Sequence, residues 1–347
     1  MTRLEAQYPW MDDRSAWQET VGQEIPLIDT AGAGHGYWVT GNGRIFAARH
    51  NLPFTRLESI LGPDYSREDD FTGWGAQEFI VRQHGAAIDW MTQTAFRIRR
   101  TAILGAECRA DGLRLVLQDA VPPSWPIILR SIAIENTGLQ SLTGLEIEVQ
   151  LKELPANCHL VQLPNGIEVD AGGRKLRAIT LFGNPIPDTS SFRIPLPTIL
   201  TGDDFLLQIV LITGTNDEEL SALAAKAARN PDDVPRAAYH WWQTWMSSTL
   251  TVASDDPRIG DLLDETTILT ACQQAENGVI APLTERSTST AVDDLPVVRW
   301  LLSIGKSVEA ARVLHARYSA TCAQQSYATQ IMAAQDGTLG EIEPEWR

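Results

Sequence analysis

The hydrophobic pattern of the chain changes from strand-like to helical near Thr215. Between about residue 24 and residue 213, short apolar runs recur roughly every ten residues, and most are bounded by Gly, Pro, Asn or Asp. The run LEIEVQL alternates apolar with polar residues, as a strand does when one face of its sheet is wet. So many strands without intervening helices predict a large antiparallel β-sandwich.

The strongest local signal in this part is a hairpin. The segment HGYWVTGNGRIFAARH, residues 35–50, has alternating apolar residues on both sides of Gly41-Asn42-Gly43. Glycine and asparagine tolerate the positive φ angles that tight turns between antiparallel strands require. We therefore predict two strands joined by this tripeptide.

The second part of the chain has apolar residues at helical spacing. The segment DEELSALAAKAARN opens with acidic residues and ends at Asn230-Pro231, which predicts a helix. Pro235 opens a second helix, on which Trp241 and Trp245 lie four residues apart on one face. An aromatic pair at this spacing on a linking helix indicates packing between domains.

Further helices follow in the same part. Asp256 caps one of them, with Pro257 at its first position. The segment LPVVRWLLSIG is apolar almost all round and ends at Gly305, and Ser307 caps the next helix. A helix that is apolar on every side must be covered on several sides. The helix after Asp256 has a predicted buried stripe made of Ile259, Leu262, Leu263, Thr266, Leu269 and Cys272.

Charge and cysteine usage exclude several classes of protein. The 347 residues include 28 basic and 44 acidic ones, and the net charge of −16 repels nucleic acid and anionic membranes. The sequence has no apolar run near 18 residues and no signal-peptide core at its N-terminus, so we expect a cytoplasmic protein without membrane spans. The four cysteines lack CxxC spacing and the histidines lack metal-ligand spacing. We therefore expect no disulfide, no metal and no other cofactor.

The order of these elements is a sandwich, a tryptophan-rich linking helix and then helical hairpins. This order resembles the bacterial six-hairpin glycosidases, a superfamily that includes glucoamylase-like hydrolases and the maltose and cellobiose phosphorylases. The segments that carry the resemblance are GYWVTGNGRI, LRSIAIENTGLQSLTGLEIEVQL with its R…I.N.G pattern, YHWWQTW, GVIAPLTERSTSTAVDDLPVVRWLLSIGKSVEAARVLH and QDGTLGEIEPEW.

The resemblance implies a fold and a domain arrangement. In these proteins an antiparallel supersandwich of the galactose-mutarotase-like type packs on an (α/α)6 barrel, and sugars bind at the barrel mouth. It implies a sandwich over residues 1–214, linking helices over 215–250 and the start of such a barrel over 251–347. Twelve helices need about 250–350 residues, whereas 111 follow Arg236 (347 − 236), so we expect an incomplete barrel.

The segment NGVIAPLTERSTSTAVDD, Asn277 to Asp294, is the candidate sugar-binding loop. In glucoamylase-like members the matching loop ends in Arg-Asp, whose side chains hold sugar hydroxyls. The resemblance carries the aspartate over to Asp294, next to Asp293. The arginine has no match, and Arg286 is offered in its place. Two plain alternatives stay open, namely that Asp294 caps the following helix and that Arg286 forms a surface ion pair with Glu285.

The segment DGTLGEIEPEWR near the C-terminus is the candidate catalytic segment. Asp336 lies in the Asp-Gly that many members have after the second inner helix, and Trp346 offers an aromatic face for a sugar ring. An inverting glycosidase needs two carboxyl groups about 6.5–9.5 Å apart, and Glu341 and Glu343 on an extended segment would lie about 6.5–7 Å apart. The alternative is a charged terminal segment, since in the family the general acid and base lie further along a longer chain.

These features predict a carbohydrate-active protein that hydrolyses or phosphorolyses glucosides through carboxylate acid/base chemistry. An incomplete barrel would expose apolar helix faces. We therefore expect, besides a carbohydrate ligand, a homo-oligomer or a second chain that completes the barrel. Two alternatives stay open: a non-catalytic sugar-binding or assembly subunit, and a repurposed fold that catalyses elimination or isomerisation.

Overall fold

The computed structural model describes residues 1–21, 37–50, 56–62, 73–252, 255–280 and 291–324. Within these ranges the chain forms 17 strands and six α-helices, and a short 3₁₀ helix covers Pro9–Asp12. The helices are α1 (Arg3–Gln7), α2 (Asp217–Arg229), α3 (Asp233–Ser247), α4 (Pro257–Gln273), α5 (Ala291–Ser303) and α6 (Ser307–Gln324). The strands are β1 (Arg14–Val21), β2 (Tyr37–Gly41), β3 (Phe46–His50), β4 (Arg56–Leu61), β5 (Ala76–Gln83), β6 (Ala86–Ala87), β7 (Thr92–Ile98), β8 (Leu104–Ala110), β9 (Leu113–Ala120), β10 (Ile127–Asn136), β11 (Leu145–Lys152), β12 (His159–Leu163), β13 (Gly166–Ala171), β14 (Arg174–Thr180), β15 (Ile186–Pro187), β16 (Ser191–Pro195) and β17 (Asp204–Gly214).

The strands form two sheets. The first has nine strands in the order β1-β7-β8-β9-β10-β17-β14-β13-β12. The second has eight strands, in the order β15-β16-β11-β5-β4-β3-β2 with β6 paired to β5. All strand pairings among the described residues are antiparallel. The predicted change from antiparallel strands to helices is therefore confirmed.

The two sheets share one hydrophobic core. Leu117 of β9 in the first sheet and Ile147 and Val149 of β11 in the second belong to it and are fully buried. Glu148, between the last two, faces the opposite side and pairs with Arg82 at 2.6 Å. This alternation follows from the two-residue period of a strand, and burial of the apolar side chains is the main stabilising contribution.

The R…I.N.G segment of β10 has a structural role. Arg130 donates two hydrogen bonds of 2.6 Å to the carboxylate of Asp119 on β9, and both side chains are fully buried. The amide of Asn136, the last residue of β10, donates to the carbonyl oxygens of Gln140 and Ile199 at 2.8 and 2.9 Å. These side chains therefore fix the pairing of β10 with β9 and the loop that follows β10.

An N-terminal segment, residues 1–13, covers part of the outer face of the nine-stranded sheet. Thr2 and Glu5 form a reciprocal capping box at the start of α1. Leu4 and Met11 are buried in an apolar cluster together with Val116 of β9. The strand-like pattern noted from about residue 24 does not indicate this segment or β1, both of which precede it.

The same segment is held by charged groups. Arg114 on β9 donates hydrogen bonds to Glu5 at 2.7 Å and to Glu107 at 2.9 Å. Burial alone raises the pKa of each carboxyl. The hydrogen bonds from Arg114, joined at Glu5 by those from the Thr2 backbone and Arg14, outweigh burial and hold both pKa values below their ordinary range.

We expect acid to destabilise the protein through this cluster. A carboxyl whose pKa is lower in the folded chain contributes stability above its unfolded pKa and loses it as pH falls through the folded pKa. The free energy of unfolding, measured by urea titration, should therefore fall from about pH 5 downwards. Arg114→Met should lower the value at pH 7 and flatten the dependence on pH. An equally steep dependence in the variant would contradict the role of Arg114.

Helices α2 and α3 lie on the outer face of the nine-stranded sheet. Leu220 of α2 and Val234 of α3 are buried in one cluster with Leu129 and Val210 of the sheet. Further along α3, Ala238 packs with the N-terminal segment. The linking helix therefore bridges two apolar clusters of the same sheet face.

Helix α4 buries only the C-terminal part of the predicted stripe. Ile268 and Cys272 are buried together with Phe46 of β3 and residues of α3. Ile259 and Leu262 are 43% and 42% exposed, so the predicted buried stripe is wrong in its N-terminal half. The face of α4 that becomes buried is decided by the hairpin β2–β3 and by α3, neither of which is close to it in sequence.

Helices α5 and α6 form a hairpin. Val298 and Leu301 of α5 are buried together with Val313 of α6. Leu302 and Val308, in contrast, are 54% and 60% exposed, so nothing in the described part of the chain covers these sides. None of the described helices is both long enough and apolar enough to cross a bilayer.

Candidate functional site

Most of the predicted site residues lie outside the described residues, and their placement stays a prediction. For Asp293 the structure describes the backbone in α5. Asp294 is the predicted site residue whose side chain is described. The predicted residues that fall in 281–290 or 325–347 are Arg286, Asp336, Glu341, Glu343 and Trp346.

Asp294 lies near the N-terminal end of α5. Since α5 begins at Ala291, Asp294 is the fourth residue of the helix and does not occupy the N-cap position, so the capping alternative is wrong. Its side chain is 3% exposed, and Val298 and Leu301, one and two turns further on, are buried as well. The positive end of the helix dipole favours a carboxylate in this first turn. A buried carboxylate is therefore the last residue of the predicted sugar-binding loop.

The predicted hairpin turn lies at the C-terminal end of α4. The Asn42 amide donates to the Trp125 carbonyl oxygen at 2.8 Å and to that of Pro122, and its side-chain oxygen accepts from the backbone N–H of Arg44 at 2.9 Å. Glu276 donates its backbone N–H to the Gly43 carbonyl oxygen at 2.9 Å. The turn between β2 and β3 therefore ties the sandwich to the segment that leads into the candidate loop.

That segment, residues 274–280, is a tight turn fixed on two sides. Gln274 and Ile280 form an antiparallel bridge, inside which the backbone N–H of Ala275 donates to the Val279 carbonyl oxygen at 2.7 Å. The Gln274 amide donates to the Glu309 carbonyl oxygen of α6 at 2.7 Å. The start of the candidate loop is thereby held against both the sandwich and the α5–α6 hairpin.

Gly43→Ala is expected to loosen this junction. Gly43 has φ +85°, and a Cβ there would lie 3.1 Å from the Gln274 carbonyl oxygen. Gly85→Ala is the matched control, because Gly85 has φ +84° and nothing within 4 Å of its Cβ position. Both variants lose about 1 kcal/mol from backbone strain, and Gly43→Ala should lose about 1 kcal/mol more from the contact. If both variants lose the same free energy of unfolding in urea titrations, the turn makes no tight contact with the C-terminal end of α4.

Three carboxylates of α4 face arginines from the end of β7 and the turn that follows it. Arg97 Nε lies 2.6 Å from Glu265 Oε1, and Arg97 is 2% exposed. Burial raises the pKa of Glu265 although Arg97 lowers it, and burial likewise raises the pKa of Asp264, which lies 3.6 Å from Arg100. Raised carboxyl pKa values also occur in glycosidase acids. Here, however, the groups are engaged in docking α4 onto the sandwich, so we assign them a structural role.

These ion pairs were not predicted from the sequence. Their arginines belong to the basic run in AFRIRRTAIL, and their carboxylates are the acids at i, i+3 and i+4 in GDLLDE. Either pattern alone is typical of a solvated surface. The pairing follows only once the β7–β8 turn and the helix are placed against each other. The third pair joins Arg99 and Asp261, at 3.4 Å.

The tryptophans of α3 pack against α4 and the β2–β3 hairpin, which agrees with the predicted packing role. Trp242 is buried with Ile268 of α4, and Trp241 and Trp245 pack against the same cluster. The Trp245 indole donates to Glu309 Oε1 at 3.1 Å, and Lys306 Nζ lies 3.9 Å from the Trp245 ring centroid. The aromatic faces are therefore committed to helix packing and not to a sugar ring.

At the end of the candidate loop the described residues thus supply a buried carboxylate, Asp294, and a frame that holds the start of that loop. A carboxylate accepts hydrogen bonds and suits the hydroxyl groups of a sugar. The described side chains include no group of three or more His, Cys, Asp or Glu that could hold a metal ion. The sequence predicts the turn at Gly41-Asn42-Gly43 but not its contact with the segment that leads into the candidate loop.

No protein-family model matches the sequence, and no curated protein matches it significantly. Solved structures do match. A bacterial glucoamylase complexed with acarbose matches with a TM-score of 0.57 and 10% identity, over 86% of this chain and 53% of that chain. A putative kojibiose phosphorylase from the human microbiome matches with a TM-score of 0.47 and 6% identity, over 83% and 48% of the two chains. A family GH92 α-mannosidase from Bacteroides thetaiotaomicron matches with a TM-score of 0.35 and 8% identity, over 85% and 49%.

We base the fold assignment on the glucoamylase, whose TM-score alone among these three exceeds 0.5. The chain spans about half the length of each of these structures. The glucoamylase match agrees with the order of sandwich, linking helix and helical hairpins in the sequence. The chain therefore shares the fold of the part of this glucoamylase that it matches.

Proposed function

We propose that the chain is part of a carbohydrate-active protein that hydrolyses or phosphorolyses glucoside-type substrates by carboxylate acid/base chemistry. The observation that carries the proposal is the buried carboxylate of Asp294 at the start of α5. It lies where the six-hairpin resemblance expects a sugar-holding aspartate. The fold shared with a glucoamylase that binds acarbose supports the same substrate class.

In this proposal the sugar lies against the candidate loop, Asn277 to Asp294. Asp294 accepts hydrogen bonds from its hydroxyl groups, with Asp293, Arg286 and Asp336 as further polar partners and Trp346 as a stacking face. Glu341 and Glu343 are the proposed general acid and base. The galactose-mutarotase-like supersandwich, the (α/α)6 barrel and a cytoplasmic location belong to this proposal.

Binding of acarbose tests the ligand class directly. We expect isothermal titration calorimetry to show specific binding, weakened about 10- to 100-fold by Asp294→Asn, because a hydrogen bond to a charged group contributes about 1.5–3 kcal/mol. Asp111→Asn is the matched control, since Asp111 is exposed in the turn between β8 and β9. Equal binding by both variants would remove Asp294 from the site, and absence of binding to the unmodified protein would contradict the ligand class.

Turnover of aryl glucosides, with and without phosphate, distinguishes the proposed activities. Release of the aryl group without phosphate supports hydrolysis, and release that requires phosphate supports phosphorolysis. Acarbose binding without turnover supports the alternative function, a non-catalytic sugar-binding or assembly subunit.

One observation favours that alternative and also supports a partner. Of the fifteen large apolar side chains exposed in the described part of the chain, eight lie between residues 250 and 314. Soluble monomers rarely expose apolar surface in such concentration. We propose that this surface packs against further helices, from a second copy of the chain or from a second chain. The eight residues are Leu250, Val252, Ile259, Leu262, Leu295, Leu302, Val308 and Leu314.

Light scattering coupled to size-exclusion chromatography tests the partner. The chain alone has a mass of 38.2 kDa, and we expect a larger assembly. Leu302→Glu should shift it towards the monomer, whereas Leu139→Glu, at a position 98% exposed in the sandwich, should not. A stable monomer of the unmodified protein would contradict self-association.

A further inference from the structure

A row of polar side chains crosses the outer face of the nine-stranded sheet. Gln118 of β9 pairs in register with Ser131 of β10, and Ser131 pairs with Gln208 of β17. Directly opposite residues on neighbouring antiparallel strands have Cβ atoms about 4.5–5.5 Å apart on the same face. The three side chains therefore form one continuous row, perpendicular to the strands.

Helix α3 passes over this row. On one side of the row, Leu129 and Val210 form an apolar cluster with Val234 of α3. On the other side, Val116 and Ala133 form a cluster with Ala238 of α3, one turn further along the helix. The helix thus contacts apolar residues on both sides, with the polar row between the two contacts.

Four of the five side-chain polar atoms of the row are buried and make no hydrogen bond with the described residues. Gln118 and Ser131 are fully buried. The amide nitrogen and oxygen of Gln118, the hydroxyl of Ser131 and the amide nitrogen of Gln208 are all buried and without a partner there. Buried polar groups in folded proteins are almost always hydrogen-bonded, to protein or to ordered water, because leaving them unpaired is strongly destabilising.

The two ends of the row differ. At the β8 end, Gly105 pairs in register with Gln118, and the ring of Phe96 occupies the space where a side chain of residue 105 would lie. At the β17 end, Gln208 is half-buried. The row therefore ends at an aromatic ring on one side and at a half-buried side chain on the other.

We propose that this row is a binding site for a short chain of ordered water molecules between the sheet and α3. Each amide or hydroxyl of the row supplies one or two of the two to four polar partners that a buried water needs. In this proposal the apolar contacts that α3 makes on both sides of the row limit the water to the width of one row of side chains. The water chain completes the hydrogen bonds of the row and seats the linking helix at a defined position on the sandwich.

A crystal structure of the full chain at about 1.5 Å resolution tests the proposal directly. We expect ordered water within hydrogen-bonding distance of the Gln118 amide and the Ser131 hydroxyl. Water-oxygen magnetic relaxation dispersion should show fewer long-lived internal waters in a variant that combines Gln118→Met and Ser131→Ala. Side chains that bond to one another with no water between them would overturn the proposal, as would an unchanged count of long-lived waters.

Thermal unfolding gives an independent readout from single variants that preserve shape. Ser131→Ala and Gln118→Met each remove partners of the bound water and should lower the midpoint by about 2–4 °C. Gln140→Met, at an exposed position in the loop after β10, is the control and should change it little. If both row variants raise the midpoint of thermal unfolding, no water is bound along the row and its polar groups have no hydrogen-bond partner.

Discussion

Arg130→Met is expected to lower the free energy of unfolding by about 3–5 kcal/mol, because it leaves the carboxylate of Asp119 buried without its guanidinium partner. The two side chains are 1% and 0% exposed, and the guanidinium also lies 4.1 Å from the centroid of the Phe79 ring of the opposite sheet. Truncation therefore removes a bidentate ion pair, a cation–π contact and the packing of the long side chain at once. Urea titration followed by tryptophan fluorescence measures the loss.

A double variant separates the ion pair from simple packing. Arg130→Met combined with Asp119→Leu removes both charges, and it should be more stable than Arg130→Met alone, since no uncompensated charge stays buried. Arg193→Met is the surface control, because Arg193 is 42% exposed and lies 3.5 Å from Glu146, and it should cost less than about 1 kcal/mol. Additive losses in the double variant would show that the two residues do not act as a pair.

This pair shows what the sequence of β10 conveys and what it does not. The R…I.N.G pattern was recognised as a mark of the resemblance, and the alternation of apolar residues placed β10 in a sheet. The partner of Arg130 depends on the register of β9 against β10, which no local pattern specifies. A charged residue at an inward position of a strand therefore predicts a buried partner without identifying it.

The helical part of the chain likewise contains features that the sequence predicts and features that it does not. The limits of α2 and the start of α4 follow from local signals, Asn230-Pro231 and Asp256-Pro257, and the structure confirms them. The N-terminal half of the buried stripe of α4 was predicted wrongly because a helix with apolar residues on several sides has more than one possible buried face. The choice between them is made by tertiary neighbours, here Phe46 and the tryptophans of α3.

The sequence predicts the part of the candidate site that follows from the order of the segments along the chain. Asp294 was identified through the resemblance, and the structure buries it at the start of α5, where capping had been the plain alternative. The residues that hold the loop in place, such as Gln274 with its bond to the Glu309 carbonyl oxygen, carry no sequence signal, because a side-chain-to-backbone bond between distant segments leaves no pattern.

Arg97→Met is expected to release α4 from the sandwich and so to disturb the frame of the candidate loop. Arg97 is 2% exposed, and besides Glu265 it donates to the carbonyl oxygens of Val39 and Thr101, each at 3.3 Å. Its loss leaves Glu265 and two carbonyl oxygens without this partner, which costs about 3–5 kcal/mol. Because the loss is concentrated between α4 and the sheet, the helices should unfold at lower urea concentration than the sandwich. Two fluorescence transitions in place of one would report this.

Two matched variants show whether the charge of the pair or its shape matters. Arg99→Met removes a neighbouring arginine that is 49% exposed, and it should leave a single transition.

Glu265→Gln keeps the shape of the carboxyl and removes its charge. Since the pKa of Glu265 is raised on folding, the stability linked to its protonation is present at low pH and lost as pH rises through the folded pKa. Glu265→Gln should therefore cost less than Arg97→Met and should abolish that part of the pH dependence. If Arg97→Met unfolds in one transition with an unchanged midpoint, α4 is held by its apolar contacts with Phe46 and Trp242, and the ion pair is incidental.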